Sequence, residues 1–526
     1  MAAFVLSRLL GLGREIAISS RFGTSGELDA YLAAFRIPDT LFQLMAGGAL
    51  ASAFIPTFAG LLAASDDRAA WRLASDIIRI LLLLLGALSA LCALLAGPLV
   101  RYLVAPGFEP ERQALTASLM RMMLLTPAVF AVSGVFMGIL NSYRRFLAAA
   151  LAPSAYNLAI ILGALFLAPA FGVYGLALGV VVGAVLHYLV QLPQVWRLMT
   201  RGEPLPQPLP DCGEGSLPPS RVSGRGAGGV RFSPHVREVG RLMLPRTLGL
   251  AAVQVNFLVN TILASLLSPG SLATINFAWM LMLLPQGVVA QGVATAVFPT
   301  FSAQAARKEL DQMQSLLLRA LRGVLFLAIP ATVGLIVLRR PIVSLVFQRA
   351  AFGSASVVAV ATVLAFYSLG LCAHSGLEVL TRAFYALHDT RTPVAVGLVA
   401  MGLNVVFSLA LMGVLREVGL ALANSLATWL EVALLWAILG RRLAGLRLGP
   451  LAPDLARTGL AAAAMALALL PLRLLPLPLA GQGILGMAVG AIVYAAAGAI
   501  LGVPEVRLAR RAFLNRLALA RVRRRG

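Results

Sequence analysis

Apolar stretches of about twenty residues recur along the whole chain, and this repetition constrains the fold more than any other feature. A segment of that length and character crosses a bilayer as a helix, because in lipid every backbone N–H and C=O must be satisfied within the segment itself. Composition agrees: 60% of residues are hydrophobic, 12% are charged and the mean hydropathy is +0.89, against roughly one quarter charged in an average soluble domain. A water-soluble core is excluded. Apolar runs between charged or Gly/Pro-rich breaks predict helices near 4–22, 30–62, 79–104, 114–140, 146–169, 173–196, 240–267, 271–303, 316–338, 355–386, 393–414, 419–440, 456–477 and 483–503. The expected fold class is therefore all-α and polytopic, with about 14 transmembrane helices. The one long polar block is 198–240, so no separate soluble domain is expected.

The formal net charge is +22, and because Lys308 is the sole lysine nearly all of it is arginine. These arginines collect in alternate connections: Arg68 and Arg72, Arg144 and Arg145, Arg197 to Arg241, Arg307 to Arg322, Arg391, Arg441 to Arg457, and the tail from Arg507. Such alternation is a topology signal that puts the basic connections and both termini in the cytoplasm; nucleic-acid binding would need one basic face. Arg339, Arg340 and Arg349 fall on the predicted outer side, which a half-helix or re-entrant segment near 341–353 would explain. At the N-terminus Arg8, Arg14 and Glu15 interrupt the apolar run that a signal peptide requires, so a retained first helix is expected. Cys92, Cys212 and Cys372 show neither pairing nor metal-ligand spacing.

Three short matches recur in register. Arg8-Leu-Leu-Gly11 is echoed by Arg246-Thr-Leu-Gly249, Pro56-Thr-Phe58 by Pro299-Thr-Phe301, and Gly175-Leu-Ala-Leu178 by Gly419-Leu-Ala-Leu422. The offsets, 246 minus 8, 299 minus 56 and 419 minus 175, are 238, 243 and 244. A repeat of six helices has an even count, so both copies enter from the same membrane face. Parallel repeats of this kind are an architecture of alternating-access transporters, with the substrate path between the lobes. The Pro-, Gly- and Ser-rich stretch 198–240 reads as the inter-lobe linker.

A charge inside a spanning helix costs about 2.5–3.5 kcal/mol on insertion scales and normally faces a cavity or a partner. Arg8, Arg14, Glu15, Asp29 and Arg36 cluster on the first two helices, and Arg246 opens the second repeat. They predict a water-filled, net positive cavity suited to a phosphate-bearing substrate, since guanidinium forks match phosphate oxygens; snorkelling of Arg8, Arg36 and Arg246 to headgroups is the competing account. His374, Glu378 and Arg382 share one helical face, as an ion-pair stripe between helices or a proton relay. Asn256 and Asn260 share another, while Pro38, Pro245 and Pro285, with Gly47 and Gly48, sit where helix kinks would line a path. There is no phosphate loop, HExxH pair or GxSxG elbow. No enzyme activity and no cofactor are expected.

The stretches Ser7-Arg-Leu-Leu-Gly-Leu-Gly-Arg-Glu15, Phe22-Gly23, Asp29-Ala-Tyr-Leu-Ala-Ala-Phe-Arg-Ile-Pro38, Gly48-Ala-Leu-Ala-Ser-Ala-Phe-Ile-Pro56, Gln254-Val-Asn256, Ala296-Val-Phe-Pro299 and Phe347-Gln-Arg-Ala-Ala-Phe-Gly353 resemble the MurJ/MviN family of lipid II flippases, in the MOP exporter superfamily. The resemblance implies two pseudo-symmetric six-helix lobes, MATE-like, around a cationic cavity, plus two C-terminal helices that hold the undecaprenyl tail. It implies substrate-site roles for Ser7, Arg8, Arg14 and Asp29, with Arg14 near the diphosphate. It departs at the family's second-helix arginine and acidic residue, which match Phe42 or Gln43 and Gly47, and at the eighth-helix arginine, which matches Met280. Some members bind sodium on helices seven, eleven and twelve; the corresponding places here are Asn260, Asn404 and Ser408.

The expected organisation is an N-lobe at 1–197, a cytoplasmic linker at 198–239, a C-lobe at 240–441, two tail-groove helices at 442–506 and a basic tail at 507–526. The expected function is flipping of lipid II, or a related polyprenyl-diphosphate glycan, across the bacterial inner membrane by alternating access, driven by membrane potential or a Na+ or H+ gradient. Export of another lipid-linked oligosaccharide or a drug, and a non-transporting scaffold for cell-wall synthesis proteins, are the alternatives.

Overall fold

The structure is a computed structural model that describes residues 2–45, 48–64, 66–201, 234–443, 449 and 451–507. Its helices run, in chain order, as α1 (Ala2–Phe22), α2 (Gly26–Met45), α3 (Gly48–Ala63), α4 (Asp67–Leu94), α5 (Ala96–Leu99), α6 (Pro110–Met123), α7 (Thr126–Ser142), α8 (Phe146–Leu162), α9 (Ala168–Phe171), α10 (Val173–Leu189), α11 (Leu192–Arg201), α12 (Pro234–Ser265), α13 (Ser271–Ala306), α14 (Leu310–Val337), α15 (Arg339–Phe347), α16 (Ser354–Ser368), α17 (Leu371–Ala386), α18 (Arg391–Leu415), α19 (Glu417–Arg442), α20 (Ala452–Leu469) and α21 (Leu479–Ile500). Among the described residues there is no strand.

Among the described residues nine helical segments are long and apolar enough to cross a membrane, or ten if the pair α16 and α17, bent by 45°, is one span. The fourteen expected crossings are thus ten by this criterion. The other four fall on α1, on α2 with α3, on α12 and on α20, which are helical but do not meet it. Charge is the reason in α1, which carries Arg8, Arg14, Glu15 and Arg21, and in α2, which carries Glu27, Asp29, Arg36 and Asp39.

Several boundaries differ from those expected, for physical reasons. The helix expected from 79 begins at Asp67, because Asp66 accepts a hydrogen bond from the Ala69 amide at 2.9 Å and caps it. Its first turns are amphipathic, burying Ala70, Leu73, Ala74 and Ile77 while Arg68, Arg72 and Arg79 stay exposed, so an apolar-run criterion passes over them. The single helix expected over 355–386 is the bent pair. Arg339 and Arg340 open α15 and Arg349 follows it; the nine residues of this helix span only about 14 Å at 1.5 Å each, so the segment does not cross. Pro38 and Pro285 lie inside α2 and α13. Gly47 lies outside the described residues, as do 202–233 of the linker and the tail beyond Arg507.

The chain forms two compact units: Met1–Arg21 with Ala30–Leu258, and Phe22–Asp29 with Val259–Gly526. In the first unit, α8 and α10 pack through small residues. A Cβ on Gly163 would lie 2.9 Å from the Gly179 Cα, and one on Gly175 2.4 Å from the backbone of Leu167. In the second unit α18 and α19 form the matching hairpin, where a Cβ on Gly419 would meet the Leu411 backbone at 2.7 Å. The turns that open the two hairpins also match, since Gly172 and Arg416, 244 positions apart (416 minus 172), adopt φ 56° and 53°. Arg144 and His388, again 244 apart (388 minus 144), adopt φ 56° and 57°. Phe58 and Phe301, from the Pro-Thr-Phe pair, are both fully buried. The sequence repeat is therefore a repeat of backbone geometry.

The last two long helices belong to the second unit. Leu338, Ala461, Ala462, Met465, Leu469 and Tyr494 form their core, and the Tyr494 hydroxyl donates to the Phe326 carbonyl at 2.6 Å. Arg322 on α14 reaches Asp454 at 3.1 Å and Glu505 at 2.5 Å.

Candidate functional site

The polar residues of α1, α2 and α8 in the first unit make one connected group. Arg14 donates to its neighbour Glu15 at 2.5 Å and 3.1 Å and to the Asn157 side-chain carbonyl at 3.2 Å. Asn157 in turn donates from Nδ2 to the Ser7 carbonyl at 3.4 Å. Gly11 and Gly13 face α8 here, and a Cβ on either would make only ordinary contact, 3.8 Å from the Asn157 Nδ2 and from the Ile161 side chain. Tyr31 and Tyr156 lie close enough to act on the Arg14 charge. The Arg14 side chain remains 30% exposed, so its guanidinium is oriented without being fully consumed by protein partners.

About three turns into α2, Arg36 lies over the Phe257 ring at 5.4 Å, a cation–π arrangement. Asp39 faces Arg36, feels the Arg14 charge and shares a hydrogen bond with Gln43. Phe42, where the family resemblance places an arginine, instead packs on Phe130 at 4.9 Å. Asp39 and Asn157 are members of this group that the sequence did not single out, and Gln43, named there only as a departure from the family, joins them through Asp39. Asp39 had a signal, being a carboxylate inside an otherwise apolar helix, whereas Asn157 is identified only by the packing of α8 on α1.

Other expected site residues are placed elsewhere. Asp29 is 1% exposed and accepts hydrogen bonds from the backbone amides of Gly270 at 2.6 Å and Ala273 at 2.8 Å. It belongs to the second unit and satisfies amides at the start of α13, the end of a helix that favours negative charge. That first turn is fitted tightly, because Gly270 has φ 89° and a Cβ there would lie 2.2 Å from the Thr24 carbonyl. Ser7 contributes its carbonyl to the group. Arg8 is exposed on α1, and six residues at 100° each turn it about 120° from Arg14. The Arg246 side chain lies outside the described residues. With Asp29 elsewhere and Asp39 included, Arg14 and Arg36 balance Glu15 and Asp39 among the described side chains of this group.

In the second unit His374 contacts Asn424 at 3.1 Å and Thr428 at 3.3 Å, with the Trp279 ring edge-on at 5.5 Å. Glu378 and Arg382 pair at 3.8 Å within α17 rather than between helices. Asn404 and Ser408 are buried one turn apart on α18, the hydroxyl donating to the amide oxygen at 3.4 Å. Asn260 is half-buried near the end of α12. Among the described residues no group of three His, Cys, Asp or Glu is arranged to hold a metal ion.

A multi-pass helical protein built from a repeated unit, with paired charges on its first helices, is of the transporter class. The chain shares its fold with a solved lipid II flippase MurJ in an inward closed conformation, with TM-score 0.76 at 23% identity over 95% of this chain and 97% of that one. It also matches a MATE-family multidrug transporter of the MOP superfamily, with TM-score 0.68 at 15% identity over 84% and 95%. The family profile of the lipid II flippase MurJ matches residues 18–478. A probable lipid II flippase MurJ of Rhizobium meliloti is 32% identical over 443 residues, 82% of this chain and 78% of the relative. The lipid II flippase MurJ of Burkholderia cenocepacia is 30% identical over 442 residues, 83% and 82%. The chain belongs to the lipid II flippase MurJ family.

Proposed function

We infer that this chain is a flippase that carries lipid II from the inner to the outer leaflet of the bacterial cytoplasmic membrane by alternating access, with both termini in the cytoplasm. The observation that carries the site assignment is Arg14, a partly exposed guanidinium inside a membrane helix, aimed by Glu15 and Asn157. Such a fork binds a diphosphate oxygen by charge-assisted hydrogen bonds, and Arg36 adds a second positive charge on the adjacent helix. Ser7 and Glu15 act as positioning groups in this account, and Asp29 as a structural cap. Arg8 is assigned to substrate on the charge pattern and the family resemblance, and Arg246 on its place at the start of the second repeat.

The work of flipping is drawn from the membrane, at about 2.3 kcal/mol per charge per 100 mV, or from an ion gradient. For coupling, the buried Asn404 and Ser408 and the half-buried His374 are favoured over Glu378 and Arg382, which already neutralise each other; Asn260 is retained on resemblance. The packing of Phe42 on Phe130 supports a second reading, transport of a different lipid-linked saccharide.

The test is complementation of a conditional lipid II flippase mutant by wild type and by Arg14→Ala at matched membrane levels. Rescue by wild type alone is expected. Failure of well-inserted wild type would overturn the lipid II assignment, and full rescue by Arg14→Ala would overturn the site.

A further inference from the structure

Outside the Arg14 group, the first unit holds a wide-mouthed surface cavity of about 610 Å³ lined by Asp67, Arg68, Trp71, Arg72 and Ser75 of α4 and by Met199 of α11. This is within the ~300–1,000 Å³ typical of small-ligand sites. Its charges are arranged unusually for a solvated surface. Arg72 donates from Nε to the Arg68 carbonyl at 3.1 Å, which fixes its guanidinium and leaves both terminal nitrogens available. Among the described residues no ion pair joins Asp67 to Arg68 or Arg72, although all three line the same space. Opposite charges that share a cavity without touching leave room for a ligand carrying both signs. The back wall is rigid, because the Trp71 ring packs edge-on to Phe58 at 6.1 Å and its N–H is engaged by Tyr143.

The position on α4 says what kind of ligand. Arg68, Arg72 and Ser75 are spaced four and three residues apart, on one side of the helix, and seven residues further along that same side come Leu82 and Leu83, 41% and 72% exposed. Seven residues are about 10 Å, so the cavity opens one headgroup's length from a leucine surface inside a spanning helix. Trp196 and Met199, three residues apart on α11, are also exposed, and tryptophan favours the headgroup level of a bilayer.

We propose that this cavity binds a membrane phospholipid whose headgroup carries a phosphodiester and a primary ammonium, the phosphate on Arg68 and Arg72 and the ammonium on Asp67. The acyl chains lie along Leu82 and Leu83. The site is separate from the substrate group and does not depend on the flippase reading. Arginines serving only as topology signals need no cavity and no facing carboxylate.

The test uses the full chain in phosphatidylcholine nanodiscs containing brominated phosphatidylethanolamine, phosphatidylglycerol or phosphatidylcholine, read by tryptophan quenching, with Trp71→Phe defining the share that reports on the cavity. Quenching of that share by phosphatidylethanolamine at several-fold lower mole fraction than by the other two is expected. Arg68→Gln with Arg72→Gln should raise the required fraction several-fold, and Asp67→Asn should abolish the preference for ammonium over choline. Arg197→Gln, an exposed arginine outside the cavity lining, should change nothing. Equal quenching by the three lipids, or an Arg197→Gln effect equal to that of the cavity pair, would show diffuse surface charge and overturn the proposal. So would displacement by millimolar glycerophosphoethanolamine, which would mean a water-borne ligand. If the double variant does not accumulate, Asp67→Asn decides the matter alone.

Discussion

The two units share a skeleton and differ in what it carries. Gly175 and Gly419 permit the same close helix hairpin, and Gly172 and Arg416 open it with the same left-handed turn. The polar groups within the helices have diverged: the first unit sets Arg14 against Glu15 and Asn157, whereas the second sets His374 against Asn424 and Thr428. Repeated geometry therefore marks what the fold needs, and we propose that the unrepeated polar groups are what function has added. A non-glycine residue in a left-handed turn, as at Arg416, is tolerated at a cost of about 1 kcal/mol or more, so the turn is retained even where the residue best suited to it is not.

If shared geometry is structural, Gly175→Ala and Gly419→Ala should do the most damage. Each new methyl group meets backbone at 2.4–2.7 Å, and overpacking of this kind costs about 3 kcal/mol. Both should lower thermal stability in detergent by a similar amount; a large loss at one position only would break the equivalence of the units. Arg14→Ala should then separate function from fold. Loss of a charge-assisted contact of about 2 kcal/mol predicts a roughly thirtyfold slower flipping rate in proteoliposomes, with little change in melting temperature.

Asp29→Ala should behave in the opposite way. Removing both acceptors from the first turn of α13 should destabilise the protein by about 1–2 kcal/mol, with Asn partly rescuing it; an unchanged melting temperature together with lost transport would return Asp29 to the substrate site. The smallest effect concerns Asp389, in the loop between α17 and α18. The Thr392 hydroxyl and amide, and after them Arg442 at 2.5 Å, hold its carboxyl down at about 2. A carboxyl whose folded value is depressed stabilises fully above its unfolded value near 4 and loses that contribution as pH falls through about 2. Acid unfolding followed by fluorescence should show a shallow dependence in that window, and Asp389→Asn should flatten it.

Much of this was legible in the sequence. Apolar length gave the helices, and three short matches a repeat that the backbone angles bear out. The amphipathic start of α4 escaped because its period is 3.6 rather than a continuous apolar run, and the bend between α16 and α17 because helix direction is not written in hydropathy. Asp29 and Asp39 show the limit most clearly: both are carboxylates on the same helix, ten residues apart, and the sequence pointed to Asp29 where packing puts Asp39 in the charged group.

By itself the sequence determined that this chain lives in a membrane as a repeated set of helices, because backbone hydrogen bonding in lipid admits few other solutions for such apolar runs. Only tertiary structure decided which charges meet. It sent Asp29 to the α13 amides, brought Asn157 from α8 onto Arg14 across 143 residues, and left Asp67 facing two arginines it does not touch. The physical reason is that burial is a property of single segments and can be read residue by residue, whereas a polar contact acts over about 3 Å and exists only once two distant helices have packed.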